Sequence, residues 1–108
     1  MGDWHPECPA RLQAIDDQLI ASGLANLIDH REAPLASVDA LARVHTEAAI
    51  AKVRDQSPPP GEYHPLDADT LLNQHSWQAA LRAAGAAIAA TDAVIRGEVD
   101  NAFCAIRP

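Results

Sequence analysis

Apolar residues recur at helical spacing in two main stretches of the chain. In the first, Leu12, Ile15 and Leu19 follow one another at intervals of three and four residues, and Gly23 provides a left-handed stop. This pattern predicts a helix over about residues 9–22. The second stretch, residues 72–96, carries one stripe at the same spacing, which consists of Trp77, Leu81, Ala84, Ile88, Thr91 and Ile95. It predicts a long helix that ends at Gly97, and its many alanines favour close approach by a neighbouring element.

Two shorter helices are predicted between these stretches. Ser37 and Thr46 are good N-cap residues, and each precedes a short run with helical periodicity. The second of these helices must end before the three prolines at 58–60, because proline lacks the backbone donor that a helix needs. Residues 57–69 are predicted to be a loop, with Asp69 or Thr70 capping the long helix. Residues 24–34 have no clear period and are compatible with a short strand or a loop.

The C-terminal run at 102–106 is apolar throughout and bounded by polar residues, which is typical of a strand buried on both faces. Such a strand needs neighbouring strands to pair with, and no second strand is evident in the sequence. A long helix that leads into a buried strand is half of an α/β unit. The pattern therefore predicts that the chain is an incomplete part of a larger fold.

Composition narrows the class of protein. The chain has 108 residues, the size of one domain, and its aromatic content of 4% predicts a thin core. The net charge of −7 at pH 7 disfavours nucleic acid and anionic membranes as partners, and no apolar run approaches the length of a membrane span. The two cysteines, Cys8 and Cys104, are expected to be reduced thiols. We therefore expect a single domain over residues 1–108 in a soluble, cytoplasmic protein.

No complete active site is evident from residue types and spacing. His5 and Cys8 form the one closely spaced pair of metal ligands, and a structural zinc site needs more than one such pair. His75 and Ser76 are adjacent, so on a helix they point about 100° apart and cannot act as base and nucleophile. The acidic stretch at 66–70 lacks the glycine and the terminal glutamate of a calcium loop.

The order of four short motifs along the chain is nevertheless informative. Residues 5–12 read HPECPARL, residues 44–46 read VHT, residues 66–70 read LDADT, and residues 101–108 read NAFCAIRP. In this order they resemble the histone deacetylase and acetylpolyamine amidohydrolase family, of the arginase-deacetylase superfamily. The second motif departs from the family pattern, because Ala49 stands where an aromatic residue is usual. The last one looks like the strand that leads into the family's RPPGHHA motif.

The resemblance implies an arginase-like α/β fold, in which this chain is the mainly α N-terminal portion, with three to four helices and a short C-terminal strand. It also implies zinc-dependent hydrolysis of acetyl-lysine or acetylpolyamine amides, although the family's zinc ligands and catalytic histidines have no match in this chain. We therefore expect no catalytic residue, metal ligand or cofactor here, with zinc belonging to the parent enzyme.

Six positions carry a family role by resemblance. His5, Pro6 and Glu7 match the loop beside the substrate pocket, and Arg11 matches an arginine that lines an internal channel below the zinc site. From the residues alone, Arg11 is equally well explained as an ion-pair partner of Glu7, four residues earlier. Arg107 and Pro108 match the start of the catalytic loop.

The sequence thus predicts an N-terminal fragment of a bacterial-type deacetylase that is inactive as an isolated chain. One alternative is a helical interaction module that self-associates into a homo-oligomer through exposed apolar surface. Another is a small metal-binding protein that uses His5 and Cys8, which would fold only with its metal.

Overall fold

The computed structural model describes His5 and residues 7–106, and helices dominate this part of the chain. The α-helices are α1 (Ala10–Ala21), α2 (Val38–Leu41), α3 (Glu47–Asp55) and α4 (Ser76–Ile95), and a 3-10 turn at Leu24–Asn26 follows α1. Two short strands, β1 (His64–Asp67) and β2 (Thr70–Leu72), form a two-stranded sheet. The predicted class, mainly α with a short strand, is confirmed, although the strands lie elsewhere in the sequence. Pro6, Arg107 and Pro108 lie outside the described residues.

The two short helices begin at the predicted N-caps. The side chain of Ser37 accepts a hydrogen bond from the N–H of Ala40 at 3.1 Å. The side chain of Thr46 accepts one from the N–H of Ala49 at 3.2 Å. Each bond satisfies a donor in the first turn, which has no partner within the helix. Helix α3 ends at Asp55, before the prolines, as predicted.

Glycines end the two longer helices, also as predicted. Gly23 after α1 has φ of 75°, and Gly97 after α4 has φ of 71°. At the end of α4 the N–H of Gly97 donates to the carbonyl of Val94 at 3.0 Å, and that of Glu98 donates to Ala93 at 2.9 Å. These two bonds form a Schellman motif, whose left-handed position favours glycine.

The segment between α3 and α4 is a hairpin where the sequence predicted a loop. Strands β1 and β2 are antiparallel, with His64 opposite Leu72, Pro65 opposite Leu71 and an irregularity before Asp67. The predicted start of the long helix at residue 72 is wrong for the same reason, because the backbone of 70–72 pairs in the sheet and α4 starts at Ser76. Residues 24–34 contain no strand, which leaves the loop alternative, with a 3-10 turn in it.

Helix α4 packs closely against the extended segment at 33–36. The N–H of Ala36 donates to the carbonyl of Leu81 at 3.0 Å, and the guanidinium of Arg82 donates to the carbonyl of Ala33 at 2.7 Å. Gly85, one turn further along α4, is buried against the same segment. A Cβ atom at position 85 would overlap the carbonyl oxygen of Pro34 and lie 2.9 Å from the backbone nitrogen of Ala36. The close neighbour predicted for this helix is therefore a segment of backbone.

The buried face of α4 differs from the predicted stripe. Gly85 and Ala93 are its buried residues, whereas Ile95 is 78% exposed and Ile88 is 42% exposed. The predicted stripe is half-buried in its N-terminal half and exposed from Ile88 onward. The neighbouring backbone instead packs where the side chains are smallest, since that is where it can approach most closely.

The predicted strand at 102–106 is wrong for the described residues. Residues 101–106 have no strand hydrogen bonding, and the side chain of Phe103 is 77% exposed. A strand needs a partner in a ladder, and β1 and β2 pair with each other instead.

The core is thin, as predicted from the composition. Apolar residues classed as buried in the described part of the chain are Ala36, Ile50, Leu72 and Ala93. The accessible surface is 8003 Å², against about 5,800 Å² for a compact protein of 11.5 kDa. The radius of gyration is 15.9 Å, where a compact domain of 108 residues would have about 13 Å. Across residues 5 and 7–106, no helix is both long enough and apolar enough to cross a membrane.

Candidate functional site

Hydrogen bonds bring three of the four sequence motifs together. The loop that contains His5 and Glu7 lies before α1, and α1 carries Arg11 in its first turn. His5 contacts Asp69 in the turn between β1 and β2, 64 residues along the chain. Arg11 contacts Ile106 in the C-terminal segment, 95 residues along the chain. The candidate site is therefore the junction of the loop before α1, the hairpin turn and the C-terminal segment.

His5 is the buried polar residue of this junction, with 9% of its surface exposed. Its Nδ1 accepts a hydrogen bond from the backbone N–H of Glu7 at 3.0 Å. Its Nε2 lies 3.1 Å from Oδ1 of Asp69. Nδ1 also lies 3.3 Å from the carbonyl oxygen of Glu7. An amide N–H can only donate, so in the shorter of these two contacts Nδ1 is the acceptor, which leaves Nε2 to donate to the carboxylate.

Arg11 makes the ion pair that the sequence suggested and a second contact beyond it. Its Nε lies 3.6 Å from Oε1 of Glu7, one helical turn earlier, and its NH2 group donates to the carbonyl oxygen of Ile106 at 3.1 Å. Both side chains are more than half buried. The guanidinium thus ties the start of α1 to the residue immediately before Arg107.

The hairpin turn is shaped by Asp67. Its Oδ1 accepts a hydrogen bond from the backbone N–H of Asp69 at 2.9 Å. This bond, with further hydrogen bonding from Thr70, lowers the pKa of the Asp67 carboxyl. Asp69 and Thr70 therefore belong to the hairpin, and the prediction that one of them caps the long helix is wrong. The start of α4 is held instead by Asn73, whose Oδ1 accepts the N–H of His75 at 2.8 Å.

The remaining motif, VHT at residues 44–46, lies immediately before α3. Thr46 uses its hydroxyl as the N-cap of that helix, and Val44 is 80% exposed. Thr46 of this motif therefore has a structural role as a helix cap.

The described residues contain no group of three or more histidine, cysteine, aspartate or glutamate side chains that could hold a metal ion. Cys8 and Cys104 are both free and partly buried. His5 directs its Nε2 to Asp69, and in this part of the chain His5 and Cys8 belong to no group of three possible ligands. A zinc site of three protein ligands does not fit the residues described.

Ser76 is held away from a role as nucleophile. Its Oγ accepts the N–H of Asn73 at 2.9 Å and lies 3.3 Å from Oδ1 of the same residue. The ring of His75 contacts the side chain of Gln74 at 2.8 Å instead. The hydrogen bonds at these two residues serve the start of α4, in agreement with the argument from helical spacing.

Sequence reasoning found His5, Glu7, Arg11 and the Glu7–Arg11 ion pair, but it missed the long-range partners Asp69 and Ile106. The sequence predicts Asp69 or Thr70 as a helix cap, and it predicts a buried strand at 102–106 that includes Ile106. A signal for the hairpin was present in Asp67, because an aspartate that can bond the backbone two residues on favours a turn. The alternating exposure in β1 has a period of two, but Pro65 in the middle of β1 obscures a strand pattern.

Comparison with known proteins identifies relatives over nearly the whole chain. The sequence model of the histone deacetylase domain matches residues 5–108. A histone deacetylase-like amidohydrolase of Pseudomonas aeruginosa is 36% identical over 104 residues, which cover 96% of this chain and 27% of the relative. A probable deacetylase of Archaeoglobus fulgidus is 37% identical over 106 residues, covering 96% of this chain and 29% of the relative.

A mouse relative, named polyamine deacetylase HDAC10, is 35% identical over 106 residues that cover 94% of this chain and 16% of the relative. The chain thus spans less than a third of the length of each of these curated relatives.

Proposed function

Since the chain belongs to the histone deacetylase family, we propose that it forms the N-terminal part of a zinc-dependent amide hydrolase that removes acetyl groups from acetylated amines. The observation that carries the proposal is the junction of three family motifs through the His5–Asp69 and Arg11–Ile106 contacts. These hydrogen bonds join motif residues that are 64 and 95 positions apart in sequence, which favours a common functional site over a chance similarity of short motifs.

Within this function, His5, Pro6 and Glu7 would border the substrate pocket, and Arg11 would line the internal channel. The contact between Arg11 and the carbonyl of Ile106 supports a link with the catalytic loop, because Arg107 and Pro108 match the start of that loop. Arg11 would then both line the channel and form an ion pair with Glu7.

In this proposal zinc and the groups that transfer protons are supplied from outside residues 1–108. When bound, zinc polarises the amide and lowers the pKa of a water molecule. The described residues provide no fitting set of ligands, so the isolated chain is proposed to be inactive. Its part is to shape the entrance and to support the catalytic loop.

The substrate class is proposed as acetyl-lysine or acetylpolyamine. One relative is named a histone deacetylase-like amidohydrolase and another a polyamine deacetylase, so both classes occur among similar proteins. The net charge of −7 favours cationic amines over nucleic acid or an anionic membrane surface. The proposal also includes a cytoplasmic location and a bacterial-type enzyme.

The experiment compares the 108-residue chain with the protein encoded by its whole reading frame. Both are assayed for zinc content and for hydrolysis of an acetyl-lysine peptide and of an acetylated polyamine. We expect zinc and turnover in the second protein alone. Turnover with stoichiometric zinc in the 108-residue chain would contradict its proposed inactivity. If the protein encoded by the whole reading frame binds zinc but hydrolyses neither substrate, the proposed function is contradicted.

A second proposal is that the chain self-associates into a homo-oligomer as a helical interaction module. It is favoured by large apolar side chains on the surface of the described residues, which include Ile20, Leu27, Val44, Ile95 and Phe103. Sedimentation velocity at increasing concentration tests it, with a concentration-dependent shift to larger species as the expected result. A folded species that stays monomeric at high micromolar concentration would exclude it.

A further inference from the structure

The contact between His5 and Asp69 joins a buried ring to an exposed carboxylate. The side chain of His5 is 10% exposed, and that of Asp69 is 85% exposed. Buried polar groups in proteins are nearly always hydrogen-bonded, because they have lost their water. Both ring nitrogens meet this requirement, Nδ1 through the N–H of Glu7 and Nε2 through Oδ1 of Asp69.

The ring connects two backbone segments through these bonds. On one side Nδ1 fixes the backbone of Glu7, and therefore the loop immediately before α1. On the other side Nε2 reaches the hairpin turn. A change in the position of Asp69 would therefore be transmitted through the imidazole to the backbone of Glu7.

The hairpin turn presents Asp69 in a defined position. The backbone N–H of Asp69 is held by Oδ1 of Asp67 at 2.9 Å, and Asp67 is paired with Thr70 across the two strands. The carboxylate that faces His5 thus extends from a turn whose backbone is already fixed. This arrangement allows the turn to act as the fixed side of the contact and the loop as the side that is positioned.

We propose that Asp69 is a positioning residue that holds the His5 ring, and through it the loop before α1, in the geometry of the substrate entrance. The effect on substrate rests on the proposed function, whereas the effect on the loop does not. Asp69 acts through the hydrogen bond that it accepts, so an uncharged residue with an oxygen in the same place should replace it.

The first arm of the test measures amide hydrogen exchange in the 108-residue chain by NMR. Asp69→Ala should accelerate exchange of the Glu7 N–H by between about twofold and fivefold, as expected for the loss of one partly exposed hydrogen bond. Asp69→Asn should restore most of the protection, because its side-chain oxygen can still accept from Nε2. Asp16→Ala is the matched control: it removes an exposed carboxylate on α1 and should leave exchange of the Glu7 N–H unchanged.

The amide of Leu72 reports separately on the hairpin. If Asp69→Ala accelerates Glu7 and leaves Leu72 protected, the change is at the contact and the proposal holds. Equal acceleration at both amides would mean that the variant has opened the hairpin, and the positioning role would be overturned. Unchanged exchange at Glu7, or an Asn variant that behaves like Ala, would overturn it as well.

The second arm uses the protein encoded by the whole reading frame and separates KM from kcat. Asp69→Ala should raise KM by about twofold to fivefold and leave kcat within twofold, since the residue shapes the entrance without touching the reacting atoms. A loss confined to kcat would overturn the role at the entrance. A parent protein without hydrolysis would refute the proposed function and that role together, while the exchange result still decides whether Asp69 positions the loop.

Discussion

The close approach of backbone to α4 makes Gly85→Ala an informative substitution. Gly85 lies on the buried face of α4, where the segment at 33–36 crosses the helix. A methyl group there would overlap the carbonyl oxygen of Pro34 and lie 2.8 Å from its carbonyl carbon. These are backbone atoms, so no side-chain rotation relieves the overlap and the whole segment must move away from the helix.

Two effects of opposite sign decide the outcome. Alanine is favoured over glycine in a helix interior by about 1 kcal/mol. Overpacking against a close neighbour costs about 1–3 kcal/mol, and displacement of the segment also strains the hydrogen bond from the Ala36 N–H to Leu81, worth about 1 kcal/mol. We therefore expect Gly85→Ala to lower the free energy of unfolding by about 1–3 kcal/mol.

Urea unfolding measures this change, and the reverse substitution at an exposed position of the same helix provides the control. Ala87→Gly should also destabilise, by about 1 kcal/mol, through helix propensity alone. Gly85→Ala and Ala87→Gly should therefore both lower the free energy of unfolding, although one introduces alanine and the other removes it. Amide exchange at Ala36 should accelerate in Gly85→Ala and stay unchanged in Ala87→Gly.

A Gly85→Ala protein more stable than the parent would refute the reasoning, because it would mean that propensity outweighs the overlap. Parent-like exchange at Ala36 would refute it too, since the segment would then have stayed in place.

The remaining predictions concern a cap, a titration and a long-range contact. Thr46→Ala should lower the free energy of unfolding by about 1 kcal/mol in urea titrations, because the N–H of Ala49 loses its acceptor. The pKa of Asp67 is lower in the folded chain than in the unfolded chain, so the ionised carboxyl stabilises the fold at pH values above the unfolded pKa. This stabilisation is lost as the pH falls through the folded pKa. Asp67→Asn should therefore reduce the loss of stability in acid. Arg11→Ala should make the segment at 101–106 more sensitive to limited proteolysis, because the Ile106 carbonyl loses its donor.

Each of these has a matched control. Thr46→Ser keeps the hydroxyl and should stay close to the parent. Asp100→Asn removes another exposed carboxylate near the C-terminal segment, and it should leave the acid response unchanged; a response equal to that of Asp67→Asn would point to net charge instead. Glu7→Gln removes the charge that pairs with Arg11 and leaves its contact with Ile106 in place, so proteolysis as fast as in Arg11→Ala would contradict the role given to that contact.

The helices could be predicted because their signals are local. Ser37, Thr46, Gly23 and Gly97 each act on a hydrogen bond within a few residues, so their effect depends little on the rest of the molecule. The buried face of α4 depends on which element lies beside it. The sequence has no direct sign that a backbone segment crosses at Gly85, so the predicted stripe omits Gly85 and its C-terminal part is exposed.

The strands also differ in whether their signal is local or depends on a distant partner. The apolar run around Phe103 has strand composition, but composition does not provide a partner, and no ladder forms there in the described residues. The hairpin at 64–72 pairs through its own turn, although Pro65 weakened its signal. In the candidate site, motif order identified His5 and Arg11. Their contacts with Asp69 and Ile106 arise from the tertiary fold and could be seen only in the structure.

The bond between Arg11 and Ile106 also bears on how fast the fold forms and is lost. Closing a loop of 95 residues costs about 4 kcal/mol of chain entropy, apart from a constant term. A contact of such high sequence separation is expected to form after the helices and the hairpin, on the native side of the folding barrier. Substitutions at Arg11 should therefore act mainly on the rate of unfolding. The ends of the described chain would then separate first, while α4 and the segment against it are still intact.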